Sequence, residues 1–217
     1  LAEYAKSSSN EILIRITLSN RGPDPATLHV LPTFWFRNTW SWRHEDSAAK
    51  PRISREKDNL LLATHPSLGK FFLNFAPVQD GEWPEVLFTE NETNYQRLFG
   101  VANANPYVKD AFHEFVVHGR TEAVNPQGFG TKAAPHYVLN IPAGESQTIR
   151  LCLAAVDEAN PHALGKEFNR VFAARIEEAD QFYASILPPQ LTGTEKNVVR
   201  QGYAGQVASL HRPAVNR

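Results

Sequence analysis

Two carboxylates, Glu90 and Glu92, stand two positions apart in the run Leu87-Phe88-Thr89-Glu90-Asn91-Glu92-Thr93-Asn94. On an extended chain that spacing puts both on one face, about 6–7 Å apart. Glycosidases use two carboxyl groups at comparable separation, one protonating the leaving oxygen while the other activates water or attacks the sugar. Those groups approach the scissile bond from opposite sides, which neighbours on one strand cannot do. The pair is therefore expected to form a hydrogen-bonding rim at a strand end, with sugar contact by one member left open.

The segment Trp35, Arg37, Asn38, Trp40, Trp42 concentrates indoles beside guanidinium and amide donors. That combination suits the flat, hydroxyl-rimmed faces of a sugar. The preferred alternative is structural, with Trp35 filling a core between sheets and Trp40 and Trp42 packing a domain interface. His113-Glu114 followed by His118 has the residue types of a zinc site, but at a spacing of five rather than four. Five helical positions separate two side chains by well over a hundred degrees, so surface or core-edge histidines are expected and no metal ligand is assigned. Gly128-Phe129-Gly130-Thr131-Lys132 lacks the order of a phosphate loop and reads as an ordinary loop. Asn91-Glu92-Thr93 satisfies the glycosylation triplet by chance. The single cysteine, Cys152, lies in an apolar alternating run, which predicts a buried structural thiol.

These side chains need a frame. Ile12, Ile14, Ile16 and Leu18 alternate with Leu13, Arg15 and Thr17, as in a half-buried strand. Asn20 to Pro25 is dense in turn formers, and Leu28 to Phe36 resumes the alternation, so an antiparallel hairpin is expected. Residues 43–58 are polar and read as a long surface loop. Leu60 to Ala63, Phe71 to Phe75 and Val86 to Thr89 are short strands. Asn105-Pro106 is expected to cap and open a helix that Gly119 stops, with Tyr107, Val108, Ala111, Phe112, Phe115 and Val116 as its apolar stripe. Tyr137 to Ile141 and Ile149 to Leu153 suggest a second hairpin. After Asp157 the period becomes helical, from Leu164 to Ile186, and Thr192 with Glu195 forms a capping box for a second helix carrying Val198, Val199, Tyr203, Val207 and Leu210. Strands first and helices second predict a mainly β fold: an antiparallel β-sandwich over 1–157, then a helical linker and the start of a truncated helical domain over 158–217.

Composition narrows the function classes. The 217 residues carry 22 basic and 23 acidic side chains, a formal net charge of -1 that gives no field for nucleic acid or an anionic membrane. No apolar run approaches the roughly 20 residues that span a bilayer. One cysteine builds no disulfide framework, and with no leader pattern visible the expected compartment is cytoplasmic.

Several long motifs carry a resemblance. Leu31-Pro32-Thr33-Phe34-Trp35-Phe36-Arg37-Asn38-Thr39-Trp40-Ser41-Trp42, Leu87 to Asn94, Pro106-Tyr107-Val108-Lys109-Asp110-Ala111-Phe112-His113, Val124-Asn125-Pro126 and Gly130-Thr131-Lys132-Ala133-Ala134 together resemble bacterial glucosidase-like proteins of glycoside hydrolase family 63. The match runs from about Ile12 to Gly205. The resemblance implies a supersandwich-like β domain preceding an (α/α)6 barrel, in which an inverting general acid and base cleave α-glycosidic bonds. No position here matches the catalytic segments, so none is assigned, and no cofactor is implied. The chain is expected to be an ancillary domain, truncated or frame-shifted after Gly205 and inactive alone, whose partners are the intramolecular barrel and, through the parent enzyme, an oligosaccharide. Trp40, Trp42, Glu90, Glu92, Lys109 and Asp110 are the candidates for lending side chains to a substrate pocket. The alternative is a stand-alone carbohydrate-binding module with a tryptophan-lined platform.

Overall fold

The computed structural model describes residues 1–42, 50–78, 81–159 and 163–210, with side chains through 41 in the first stretch and through 203 in the last. Leu1–Asn169 forms one compact unit, and a second begins at Arg170.

In the first unit the strands are β1 (Ala2–Lys6), β2 (Glu11–Ser19), β3 (Ala26–Val30), β4 (Phe34–Trp35), β5 (Arg52–Lys57), β6 (Leu60–His65), β7 (Gly69–Phe75), β8 (Glu85–Thr89), β9 (Phe129–Gly130), β10 (Lys132–Ile141) and β11 (Ser146–Ala155). Two short helices, α1 (Tyr95–Phe99) and α2 (Ala111–His118), lie between β8 and β9. Seven strands form one sheet in the order β1-β2-β11-β7-β6-β5-β9, and the second sheet is built around β10. β3 and β4 continue a single register along β10, Val30 opposite Tyr137 and Phe34 opposite Ala133, interrupted where Pro32 cannot donate to the ladder. β8 also pairs β10, with Thr89 opposite Lys132. Every strand pairing among the described residues is antiparallel.

One buried cluster draws on both sheets. Ile53, Leu61, Leu73, Phe75, Ile149 and Leu151 come from the seven-stranded sheet, while Phe88, Tyr137, Leu139 and Ile141 come from the other. On the opposite face of the larger sheet, Leu13 and Cys152 are also buried. There Arg150 lies over the Phe168 ring at 5.1 Å and donates to the Leu164 carbonyl at 3.4 Å.

Both expected hairpins are corrected. β2 pairs β1 and β11, β3 pairs β10, and β11 pairs β2 and β7, so neither turn joins hydrogen-bonded neighbours. Each turn carries the chain from one sheet to the other. Asn20 ties the two crossings together: its backbone N–H donates to Glu145 O at 2.9 Å and its amide to Ile141 O at 2.9 Å. The polar segment 43–58 is not all loop either. Residues 43–49 lie outside the described residues, but Arg52–Lys57 is strand β5, placed between β6 and β9 by its buried Ile53. α2 begins at Ala111 rather than at Pro106, because the Asn105 side-chain Oδ1 accepts from Tyr107 N–H at 2.8 Å and forms a turn instead of a cap. Gly119 ends that helix with φ 66°, as expected. Trp35 does not fill the core; it is 54% exposed.

The second unit contains most of α3 (Lys166–Ile186) and all of α4 (Gly193–Leu210). The capping box at the start of α4 is formed: Thr192 N–H donates to Glu195 Oε2 at 2.8 Å, and Glu195 N–H donates to Thr192 Oγ1 at 3.3 Å. Val198 is 64% exposed and Tyr203 42% exposed, while the side chains of Val207 and Leu210 lie outside the described residues. Two antiparallel sheets accompanied by several helices make this a mixed β/α chain.

Candidate functional site

Between β9 and β10 the chain makes a further passage from the larger sheet to the smaller, and Thr131 is the residue at the corner. Gly130 makes that corner possible. A Cβ there would stand 2.2 Å from the Thr89 carbonyl oxygen, so only glycine lets the two backbones approach. Thr131 N–H then donates to Thr89 O at 3.1 Å, and Phe36 N–H donates to Thr131 O at 3.0 Å. The end of β8, the segment after β4 and the β9–β10 corner therefore meet at one point.

Glu90 and Glu92 emerge from this junction. Thr131 Oγ1 donates to Glu90 Oε2 at 2.6 Å and accepts from Asn91 N–H at 2.8 Å, using both capacities of the hydroxyl. Lys50 Nζ sits between the carboxylates, 3.0 Å from Glu90 Oε2 and 2.7 Å from Glu92 Oε1. Trp40 Nε1 donates to the same Glu92 oxygen at 3.0 Å, and its ring lies 5.6 Å from the Lys50 ammonium. Glu90 is only 7% exposed, so a nearby cation and hydroxyl donor are what make its burial tolerable.

The electrostatics follow from this packing. Burial works to raise the Glu92 pKa, but the hydrogen bonds from Lys50 and Trp40 outweigh it and hold the carboxyl below its ordinary value. Burial likewise works against a charged Lys50, yet the two carboxylates prevail and its pKa is raised. Lys50 and its two carboxylate partners form one ion cluster. Its carboxylates converge on one ammonium instead of facing each other across a gap, so the geometry lacks the opposed pair that sugar hydrolysis requires.

Of the six residues expected from sequence, Trp40, Glu90 and Glu92 come together here. Trp42 closes the 3-10 turn Trp40–Trp42, and its side chain lies outside the described residues. Lys109 borders the cluster: its N–H donates to Glu92 O at 3.0 Å and its ammonium reaches Thr93 Oγ1 at 3.5 Å. Asp110 belongs to a neighbouring group, accepting from Asn94 Nδ2 at 3.1 Å and from Arg97 at 3.1 Å. Glu90 N–H donates to Tyr107 O at 3.1 Å, so segments 90–92 and 107–109 run together and close the excursion that contains α1. Lys50, absent from the sequence expectation, is the hinge of the cluster; no spacing rule links it to a partner 42 residues away. Thr131, in the run Gly130-Thr131-Lys132, carries no local signal of its bond to Glu90, 41 residues away.

Although five positions apart in sequence, the two histidines of α2 come close together. The His113 and His118 rings lie 5.3 Å apart in an edge-on arrangement, and ligand atoms of His113, Glu114 and His118 all fall within 4.8 Å of one another. Helical side chains lean toward the N-terminus, so the His118 ring tips back over the turn carrying the other two. Cys152 is buried as expected, and burial above all, with Glu11 beside it, pushes its pKa up to about 12. A cavity of about 250 Å³ is lined by Asn59, Leu60, Phe72, Asn74 and Cys152, none of them a member of the carboxylate cluster.

No described helix is long and apolar enough to cross a membrane. No protein-family model matches the chain. The chain is similar to the "Uncharacterized protein YMR196W" of Saccharomyces cerevisiae, with 35% identity over 241 aligned residues that cover 94% of this chain and 21% of that protein. It therefore spans about a fifth of the length of the curated relative it matches.

Proposed function

We propose that this chain is the ancillary β-sandwich region of a glycoside hydrolase acting on α-glycosidic bonds, non-catalytic itself and supporting a helical barrel that carries the inverting acid and base. The observation that carries this reading is the closed state of the carboxylate pair. Glu90 and Glu92 are held by Lys50, Trp40 and Thr131, a geometry suited to fixing loops and unsuited to proton transfer onto a glycosidic oxygen. The buried cluster shared by the two sheets favours the sandwich description. The resemblance in the Trp35, Glu90 and Lys109 segments supplies the sugar-cleaving context. Purified chain is expected to release no glucose from α-linked gluco-oligosaccharides, and turnover that disappears in Glu92→Gln would defeat this reading.

A second reading, a stand-alone carbohydrate-binding module, draws support from Trp35 and Trp83, 54% and 41% exposed. Indoles presented to solvent are what sugar faces stack on. This reading predicts a saturable change in tryptophan fluorescence on titration with the same oligosaccharides, removed by Trp35→Ala. An unchanged spectrum would end it.

A further inference from the structure

We propose that His113, Glu114 and His118 form a binding site for one divalent zinc-like cation on the solvent-facing side of α2. Two imidazole nitrogens and a carboxylate oxygen are the donor set that borderline cations such as Zn2+ prefer, with water completing a tetrahedron. The three groups are already gathered, their ligand atoms within 4.8 Å of one another. Metal–ligand distances of roughly 2.0–2.2 Å require them to close in further. The two histidines can do so because both are exposed and their rings turn without disturbing the core.

The helix holds the site outward. Ala111 and Phe112 are buried and Phe115 packs edge-on against His136 at 5.9 Å, so the opposite face faces solvent. Gly119, with φ 66°, returns its N–H to Glu114 O and Phe115 O and ends the helix immediately after His118. Of the three ligands, His118 lies in the last turn, where the negative end of the helix dipole favours a cation.

The cations already present define the competition. Glu114 Oε2 accepts from Arg120 at 3.0 Å, and Arg97 stands 3.8 Å from Glu114 Oε1 while pairing Asp110 at 3.1 Å. The Arg120 side chain is 63% exposed, and solvent screening makes such a surface pair weak. A metal held by three ligands displaces it, and Arg120 swings into solvent. Arg120 thus acts as a built-in competitor for the carboxylate.

The test titrates the chain with Zn2+ calorimetrically and with Co2+ by its visible absorption. One equivalent of each metal is expected, with affinity reduced about tenfold or more in His118→Ala and in His113→Ala. Arg120→Ala, which leaves all three ligands in place, is expected to bind more tightly than the parent chain. Circular dichroism checks that each variant is folded, and His65→Ala serves as a histidine outside the cluster whose loss leaves binding unchanged. Absence of saturable binding, or affinity in the two histidine variants equal to that of the parent chain, overturns the site. Glu114→Gln, which removes the carboxylate and keeps its size, is expected to weaken binding as the histidine variants do; unchanged affinity in Glu114→Gln overturns the three-ligand centre.

Discussion

At the level of single residues, Lys50 decides the character of the candidate site. It is the cation that both Glu90 and Glu92 share, and Lys50→Ala leaves the nearly buried Glu90 with Thr131 alone. The expected cost is about 1–3 kcal/mol in urea unfolding. The same triad sets a pH window. The Glu92 pKa is depressed from 4.5, so its contribution is complete above that value and is lost as pH falls through the lower folded value. The Lys50 pKa is raised from 10.5, so its contribution is complete below that value and is lost as pH rises through the higher folded value. Stability measured against pH should therefore be flat between these limits with respect to this pair, and Glu92→Gln should have a shallower acid limb; an identical limb contradicts the assignment. Cys152, its pKa pushed up to about 12, should resist a thiol reagent at pH 8 until the chain unfolds. The types of Glu90, Glu92 and Trp40 were visible in sequence. Their shared partner was not, because a contact across 42 residues leaves no local period.

Among the elements, alternation located most strands correctly, since a half-buried strand must repeat every two residues. Strand partners were another matter. The turns after β2 and after β10 look like hairpin turns but carry the chain between sheets, and β11 finds its neighbours in β2 and β7. Turn residues report that the chain bends, while register is set by distant apolar faces. β5 escaped notice because Arg52, Ser54, Arg55, Glu56 and Lys57 surround its one buried anchor, Ile53. The Gly130 corner is the element-level feature on which the site depends. Gly130→Ala forces a Cβ to 2.2 Å from a backbone oxygen, so we expect a loss of about 1–3 kcal/mol. Thr131→Val should preserve the backbone approach while removing the hydroxyl, and thermal denaturation of the two variants separates the contributions.

For the whole molecule, a net charge of -1 and a division into a strand-rich and a helical unit constrain function less than the resemblance does. Nothing in composition pointed to a sugar; that proposal rests on motifs spread over the strand-rich unit. The helical unit shows its own prediction. α4 exposes Val198 and Tyr203, so its amides should exchange with deuterium faster than those of β2 and β11, and equal protection would contradict this. We propose that the paired carboxylates serve structure and that catalysis resides outside this chain. The most direct test is the release of glucose from α-linked gluco-oligosaccharides by the purified, folded chain. A rate indistinguishable from buffer is expected; turnover that is abolished by Glu90→Gln or Glu92→Gln would overturn the structural role of the pair.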